Sequence, residues 1–137
     1  EIYKGKPIFY SLGDFILQND TVLLQPADGY YRYGLGLEHT PADFYDARSG
    51  TQTRGQDVNP LNWQSVVAAI TWEARQLKAM RLHPIDLGMG LPMGQRGRPV
   101  AATGKVAQEI LERFQWMSRA LSTTIDIVDG VGVVKVG

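Results

Sequence analysis

The sequence predicts an α+β fold built from antiparallel hairpins and one long C-terminal helix. Three observations carry that expectation. Asp129-Gly130 separates two Val/Ile-rich runs, Thr124–Val128 and Val131–Val136, which is among the strongest short-range hairpin signals. Ser65–Trp72 holds Val66, Val67, Ile70, Thr71 and Trp72, which suit a pleated sheet, and Gln76–Leu82 returns as its antiparallel partner through Glu73-Ala74-Arg75. Along Thr103–Arg119, Val106, Ala107, Ile110, Leu111, Phe114 and Met117 recur at helical spacing and form one apolar stripe.

The elements follow in order. Ile2-Tyr3 and Ile8–Leu12 read as two arms of a hairpin joined through Lys4-Gly5-Lys6, where glycine supplies a positive φ. Pro7 stands at the start of the second arm, where a missing N–H is tolerated. The first arm is short, as expected for the tail of something longer. Gly13-Asp14 stops the second arm, and Phe15-Ile16-Leu17 follows. Thr21–Leu24 fits either helix or strand. Asp28–Gly36 carries Tyr30, Tyr31 and Tyr33 among glycines and reads as irregular. Thr40-Pro41-Ala42-Asp43 is a helix start, with Thr as N-cap and Pro in the first turn, so a helix is expected over Ala42–Arg48, ending at Gly50. Thr51–Asn62 is polar and reads as a mobile loop. His83-Pro84 is expected to bend the strand path, because a residue before proline is pushed to extended geometry. Gly88–Pro99 is a Gly- and Pro-rich loop. On the polar face of the long helix stand Lys105, Gln108, Glu109, Glu112 and Arg113, with Glu109–Arg113 as an i,i+4 pair worth ~0.3 kcal/mol. Trp63, Trp72 and Trp116 are expected in the core or packed on the sheet.

Composition narrows the function classes. The chain has 137 residues, one domain's worth. It divides into a core strand motif (1–18), an irregular insert (19–62), a strand hairpin (63–87) and a helix plus hairpin (103–137). Lys+Arg and Asp+Glu are both 14, so the zero net charge gives no electrostatic case for nucleic acid or an anionic membrane. No apolar run approaches the roughly 18 residues of a membrane span, and residues 1–20 lack the order of a signal peptide. Cysteine is absent and histidine numbers 2, which leaves few ligands for zinc, iron or copper.

Each candidate motif has a plain alternative. Gly88-Met89-Gly90-Leu91-Pro92-Met93-Gly94 has one residue too many for a dinucleotide fingerprint and opens no helix. Arg96 and Arg98 are candidate anion contacts through bidentate bonding, although solvated loop arginines are the commoner case. His39 and His83 have no paired Ser or acidic partner nearby in sequence, and a structural role is favoured for both. Asp14 reads either as a turn cap or as a site residue at a strand end.

The stretch Glu1-Ile2-Tyr3-Lys4-Gly5-Lys6-Pro7-Ile8-Phe9-Tyr10-Ser11-Leu12-Gly13-Asp14-Phe15-Ile16 resembles a segment of the CapA family, capsule or poly-γ-glutamate biosynthesis proteins with a calcineurin-like metallophosphatase fold. The family pattern is E-x-Y-x-G-x-x-I-x-Y-S-L-G-N-F. A looser likeness extends to Ser65–Pro84 and Glu109–Val136. The resemblance implies the C-terminal part of a four-layer α/β/β/α sandwich. It implies an intact parent that is a metal-dependent, phosphoesterase-like hydrolase using divalent Mn, Zn or Fe. The metal ligands of the family, including a G-H-x-P-H loop, lie before the segment that matches Glu1, so this chain alone is expected to bind no metal and to be inactive. Tyr10, Ser11 and Gly13 match the motif and are implied as site-lining or supporting residues. Asp14 stands where the family usually has Asn, which adds a negative charge beside the metal site. The implied partners are the missing N-terminal part of the same domain and an anionic polymer or phosphoester substrate contacted by Arg96 and Arg98. The resemblance also implies a cell-envelope or extracytoplasmic location. The alternative is a non-catalytic polymer- or partner-binding module, with Tyr30, Tyr31 and Tyr33 as its contact surface.

Overall fold

A computed structural model describes residues 1–12, 22–51, 53–92 and 94–136, with backbone alone for Gln56 and Asp57. In chain order its elements are β1 (Ile2–Tyr3), β2 (Lys6–Pro7), α1 (Ala27–Arg32), α2 (Pro41–Ser49), β3 (Gln64–Glu73), β4 (Gln76–Asp86), β5 (Val100–Ala101), α3 (Gly104–Arg119), β6 (Ile125–Val128) and β7 (Val131–Val134). The fold is α+β with antiparallel sheets. Contacts divide the chain into two units, Glu1–Leu12 with Trp63–Gly137, and Gly13–Asn62.

The first unit is a sheet in the order β3-β4-β7-β6, with β5 beside the end of β4. Its register sets Val66 opposite Pro84, Ala68 opposite Leu82 and Ile70 opposite Met80, then Met80 opposite Val134 and Leu82 opposite Gly132. Because side chains alternate along a strand, these residues share one face. The stripe of α3 packs on that face. Met80, Leu82, Leu111, Ile125 and Val134 form the core cluster, and Ile2, Val66, Ile70 and Phe114 pack against it. Ile110 and Leu111 are 0% exposed, and each buried side chain of this size contributes about 1.5–3 kcal/mol. Gly132 lets the layers approach: an added Cβ would lie 3.1 Å from Leu111 Cδ2 and 3.2 Å from Leu82 Cβ.

The opposite face of the sheet is open. Val67, Ala69, Thr71, Arg81 and His83 are exposed, and Val133 is half-buried. Ile85, at the loop end of this face, is buried. A strand with Val66-Val67-Ala68-Ala69-Ile70 is apolar on both faces, the pattern of a strand covered on both sides.

Several expectations are corrected in this unit. β4 runs straight through His83-Pro84 to Asp86. The carbonyl of Pro84 accepts from Ala102 N at 2.9 Å, so the missing N–H faces the short β5 and costs no bond to β3. Trp72 is 47% and Trp116 69% exposed, outside the core. Trp72 follows a register shift at the end of β3, and Trp116 lies off the apolar stripe. Arg113 donates to Gln64 Oε1 at 2.9 Å rather than pairing with Glu109, whose partner is Lys105 at 3.4 Å. Ile8–Leu12 is not a strand. The hairpin pairs only Ile2 with Pro7 and Tyr3 with Lys6, plus Ile8 N to Glu1 O at 2.8 Å.

In the second unit, α2 starts as the sequence predicts. Thr40 Oγ1 accepts from Asp43 N at 3.3 Å, and Asp43 Oδ2 accepts from Thr40 N at 2.8 Å, a reciprocal capping box. Gly50 ends the helix at φ 59. The segment read as irregular contains α1 instead. Its Tyr30 packs at 5.3 Å from Phe44, which also meets Tyr33 at 5.5 Å and Tyr45 at 5.4 Å. A long-range aromatic cluster therefore stabilises a helix too short to hold by itself. Val22–Leu24 is neither helix nor strand, and Gly55–Val58 and Pro60–Trp63 are 3-10 turns where a loop was expected. Among the described residues, no helix is long and apolar enough to cross a membrane.

Candidate functional site

Two groups of residues were singled out by sequence, and the structure treats them differently. Tyr10 and Ser11 lie on the exposed stretch after β2. The Tyr10 hydroxyl donates to the Glu1 carboxylate, and that hydrogen bond holds the phenol pKa above its ordinary value. Gly13 and Asp14 fall outside the described residues. Neither Tyr10 nor Ser11 lines either of the two pockets described below.

Arg96 and Arg98 are gathered. β4 ends at Asp86, whose Oδ1 accepts from Gly88 N at 2.9 Å and starts a compact series of turns. Leu91 N bonds Gly88 O at 3.0 Å, Gln95 N bonds Pro92 O at 2.8 Å, and Gly97 N returns to Leu87 O at 2.7 Å. Gly88 and Gly97 have φ of 75 and 82, a conformation that requires glycine at low cost. Leu87 N bonds Trp63 O at 2.8 Å, which ties the loop to the entrance of β3. The Arg96 guanidinium stands 5.6 Å over the Trp63 ring, a cation–π contact of about 0.5–1 kcal/mol at a surface site. These turns enclose a pocket of about 290 Å³ lined by Gly88, Leu91, Gly94, Gln95, Arg96, Arg98 and Val100. Among the described residues, its lining includes two arginines and no carboxylate. Sequence reasoning found both arginines but missed Trp63 and Gln95. Only the tertiary fold brings Trp63 under Arg96.

A second pocket of about 330 Å³ lies at the C-terminal end of α3, lined by Gln115, Arg119, Ser122, Thr123, Thr124, Ile125 and Asp126. Its polar groups are partly used for structure. Gln115 Nε2 donates to Ile125 O at 2.7 Å, and Thr123 Oγ1 accepts from Ile2 N at 3.2 Å.

The histidines serve elsewhere. His39 Nδ1 accepts from Gly36 N at 3.1 Å and lies 3.3 Å from the carboxylate of Glu38, inside a turn before α2, so the adjacent Glu38 is the acidic neighbour that the sequence reading did not assign to it. His83 lies on the open face of the sheet opposite Val67. Among the described residues, no group of three His, Asp or Glu side chains is placed to hold a metal ion.

No protein-family model matches the chain. It is similar to two curated proteins of Sinorhizobium fredii (strain NBRC 101917 / NGR234), uncharacterized protein y4sH and uncharacterized protein y4uA. Each is 38% identical over 142 residues, an alignment that covers 98% of this chain and 31% of the relative. The chain thus spans about a third of the length of the curated relatives it matches.

Proposed function

We propose that the chain acts as the C-terminal part of a larger CapA-like, metal-dependent hydrolase of capsule or poly-γ-glutamate biosynthesis. The observation that carries the reading is the Glu1–Phe15 segment, whose Tyr-Ser-Leu-Gly-Asp-Phe run follows the family pattern except at Asp14. The one-sided sheet supports it. β3 has the sequence of a strand covered on both faces, and α3 covers only one. In this reading the open face packs on a second sheet supplied by the rest of the polypeptide, completing an α/β/β/α sandwich. The relatives, about three times as long as the matched region, have room for such a partner.

The described residues do not fit the implied metal centre, because they offer no donor set. The ions belong to the missing part, and this chain supplies wall residues: Tyr10, Ser11, Gly13 and Asp14. In this reading the exposed apolar side chains at Ile8, Phe9 and Leu12 are covered by the rest of the polypeptide. The test compares this chain with a longer polypeptide that includes it, both assayed for Mn²⁺-dependent cleavage of a chromogenic phosphodiester. Activity in the longer form alone supports the reading. Activity in this chain alone, or in neither, overturns it.

A second reading, a non-catalytic binding module, has Tyr31 in its favour, which is 62% exposed. Tyr30 and Tyr33 pack on Phe44 instead, so the three tyrosines do not form one contact surface. Retention of the chain on an immobilised anionic polymer, lost on Tyr31→Ala, would favour this module.

A further inference from the structure

We propose that the outer edge of β3 is a self-pairing surface, on which a second copy of this chain adds its own β3, antiparallel, about a two-fold axis at Val67. The pairing goes beyond the hydrolase reading, which covers the open face of the sheet and does not use this edge. In an antiparallel pair, alternate residues turn both N–H and C=O toward one neighbour, and the residues between turn theirs the other way. Trp63 O accepts from Leu87 N at 2.8 Å, and the register continues from there through Gln64 opposite Asp86. Ser65, Val67 and Ala69 therefore bond β4, and Val66, Ala68 and Ile70 turn their backbone groups outward. Pro84 agrees: it stands opposite Val66, and its carbonyl accepts from Ala102 on the far side of β4. Among the described residues, β3 pairs with β4 alone.

The two edges of the sheet differ. β6 has four residues, and its Asp126 lies 3.2 Å from Lys135, so charge guards that edge against strand addition. β3 has ten residues, and Gln64–Trp72 holds no Lys, Arg, Asp, Glu or Pro. Its first irregularity is the register shift at Thr71/Trp72. Pairing two copies over the regular stretch 64–70 puts the axis at its midpoint, Val67. Val66 then faces Ala68, Ser65 faces Ala69, and Val67 faces its own copy. Val67 falls at a non-hydrogen-bonded position, where opposite side chains come closest and a β-branched pair packs well. No charge meets a like charge across the axis. The 14 cations and 14 anions cancel, so no net repulsion keeps the copies apart. This self-complementarity selects a second copy over an unrelated strand. Both copies use the same edge, so the assembly closes at two.

The experiment is sedimentation of the 137-residue chain from about 1 to 500 μM, a range that brackets the affinity of a small interface. The mass should rise with concentration from 15.2 kDa to twice that value. Amide exchange at both ends of the range should show Val66, Ala68 and Ile70 protected only at high concentration, and Val67 and Ala69 protected throughout. Val67 is 41% exposed, so Val67→Lys spares the core, sets two ammonium groups opposite each other, and should raise the dimer Kd at least about tenfold. A mixture of Val67→Lys and Val67→Glu copies should pair more tightly than either variant alone. A monomer at every concentration overturns the proposal, as does growth beyond two copies. A dimer that leaves the three outward amides unprotected, or a mixture no tighter than its components, overturns it as well. None of these outcomes touches the hydrolase reading, which rests on cleavage activity in a longer polypeptide.

Discussion

Two hairpins of this chain begin alike and end differently. Lys4-Gly5 and Asp129-Gly130 both place their two central residues at positive φ, 48 and 71 in the first and 49 and 75 in the second. That is the backbone of the tight turn whose twist suits paired strands. The second hairpin continues for four residue pairs, from Val128–Val131 to Ile125–Val134, whereas the first stops after two. The difference lies in what the arms meet. Ile125 and Val134 are 2% and 4% exposed beneath α3, whereas Phe9 and Leu12 remain 40% and 82% exposed. A turn starts a hairpin, and a buried face extends it, because an isolated two-stranded ribbon is marginal in water.

The largest expected effect breaks the buried hairpin from beneath. Leu111→Ala should lower unfolding free energy by about 2–5 kcal/mol, measured by urea denaturation. Leu12→Ala should change it by less than about 0.5 kcal/mol, because its side chain meets solvent. Equal losses would remove the distinction. In a longer polypeptide that covers the first hairpin, Leu12→Ala should become destabilising, which would sharpen it.

Next in size is Gly132→Ala. Its methyl group would press on Leu111, Ile125 and Leu82, at a cost of about 1–3 kcal/mol. A neutral result would mean that the helix-to-sheet packing can relax at that point.

A matched pair of turn substitutions follows. Gly130→Ala and Gly5→Ala force the same left-handed backbone on a residue with a Cβ, at about 1–2 kcal/mol each. Only the first should appear in global unfolding. The second should fray the short hairpin and show only as faster amide exchange at Ile8.

A further effect lies in the second unit, where α2 is set by local chemistry. Thr40→Ala should cost about 1 kcal/mol through loss of the cap, read as reduced helix protection. The Thr40 side chain and backbone N–H hold the Asp43 carboxyl below its ordinary pKa. A lowered native pKa means that the unfolded chain takes up the proton first as pH falls. The stabilisation is therefore complete above the ordinary aspartate range and is lost as pH drops through the lowered native value. Thr40→Ala should flatten that acid dependence, and an unchanged acid profile would count against the capping box as its source.

Elements governed by short-range rules were legible. The Thr40 cap, the Asp129-Gly130 turn and the apolar stripe of α3 each depend on residues within a few positions of one another. The helix Ala27–Arg32 was not legible, because it is held by Tyr30 on Phe44, a contact across the unit. The straight passage of β4 through Pro84 was missed for a similar reason: whether a proline breaks a strand depends on which neighbour its missing N–H faces. The candidate site divides the same way. Arg96 and Arg98 stand out in the sequence as cations in a glycine-rich loop. Their enclosure with Gln95, and the Trp63 ring beneath Arg96, require Leu87 and Gly97 to close the loop.

What the sequence by itself determined is therefore local: where turns fall, where one helix starts and ends, and which residues form its apolar stripe. Backbone geometry and side-chain periodicity act over a few residues and need no knowledge of the rest of the chain. Only the tertiary structure decided which face of β3 lies beneath α3 and which stays open. It also decided that Trp72 and Trp116 stand at the surface and that the first hairpin stops short. Burial depends on what arrives from elsewhere in the chain, and a strand apolar on both faces does not itself specify which face is covered first.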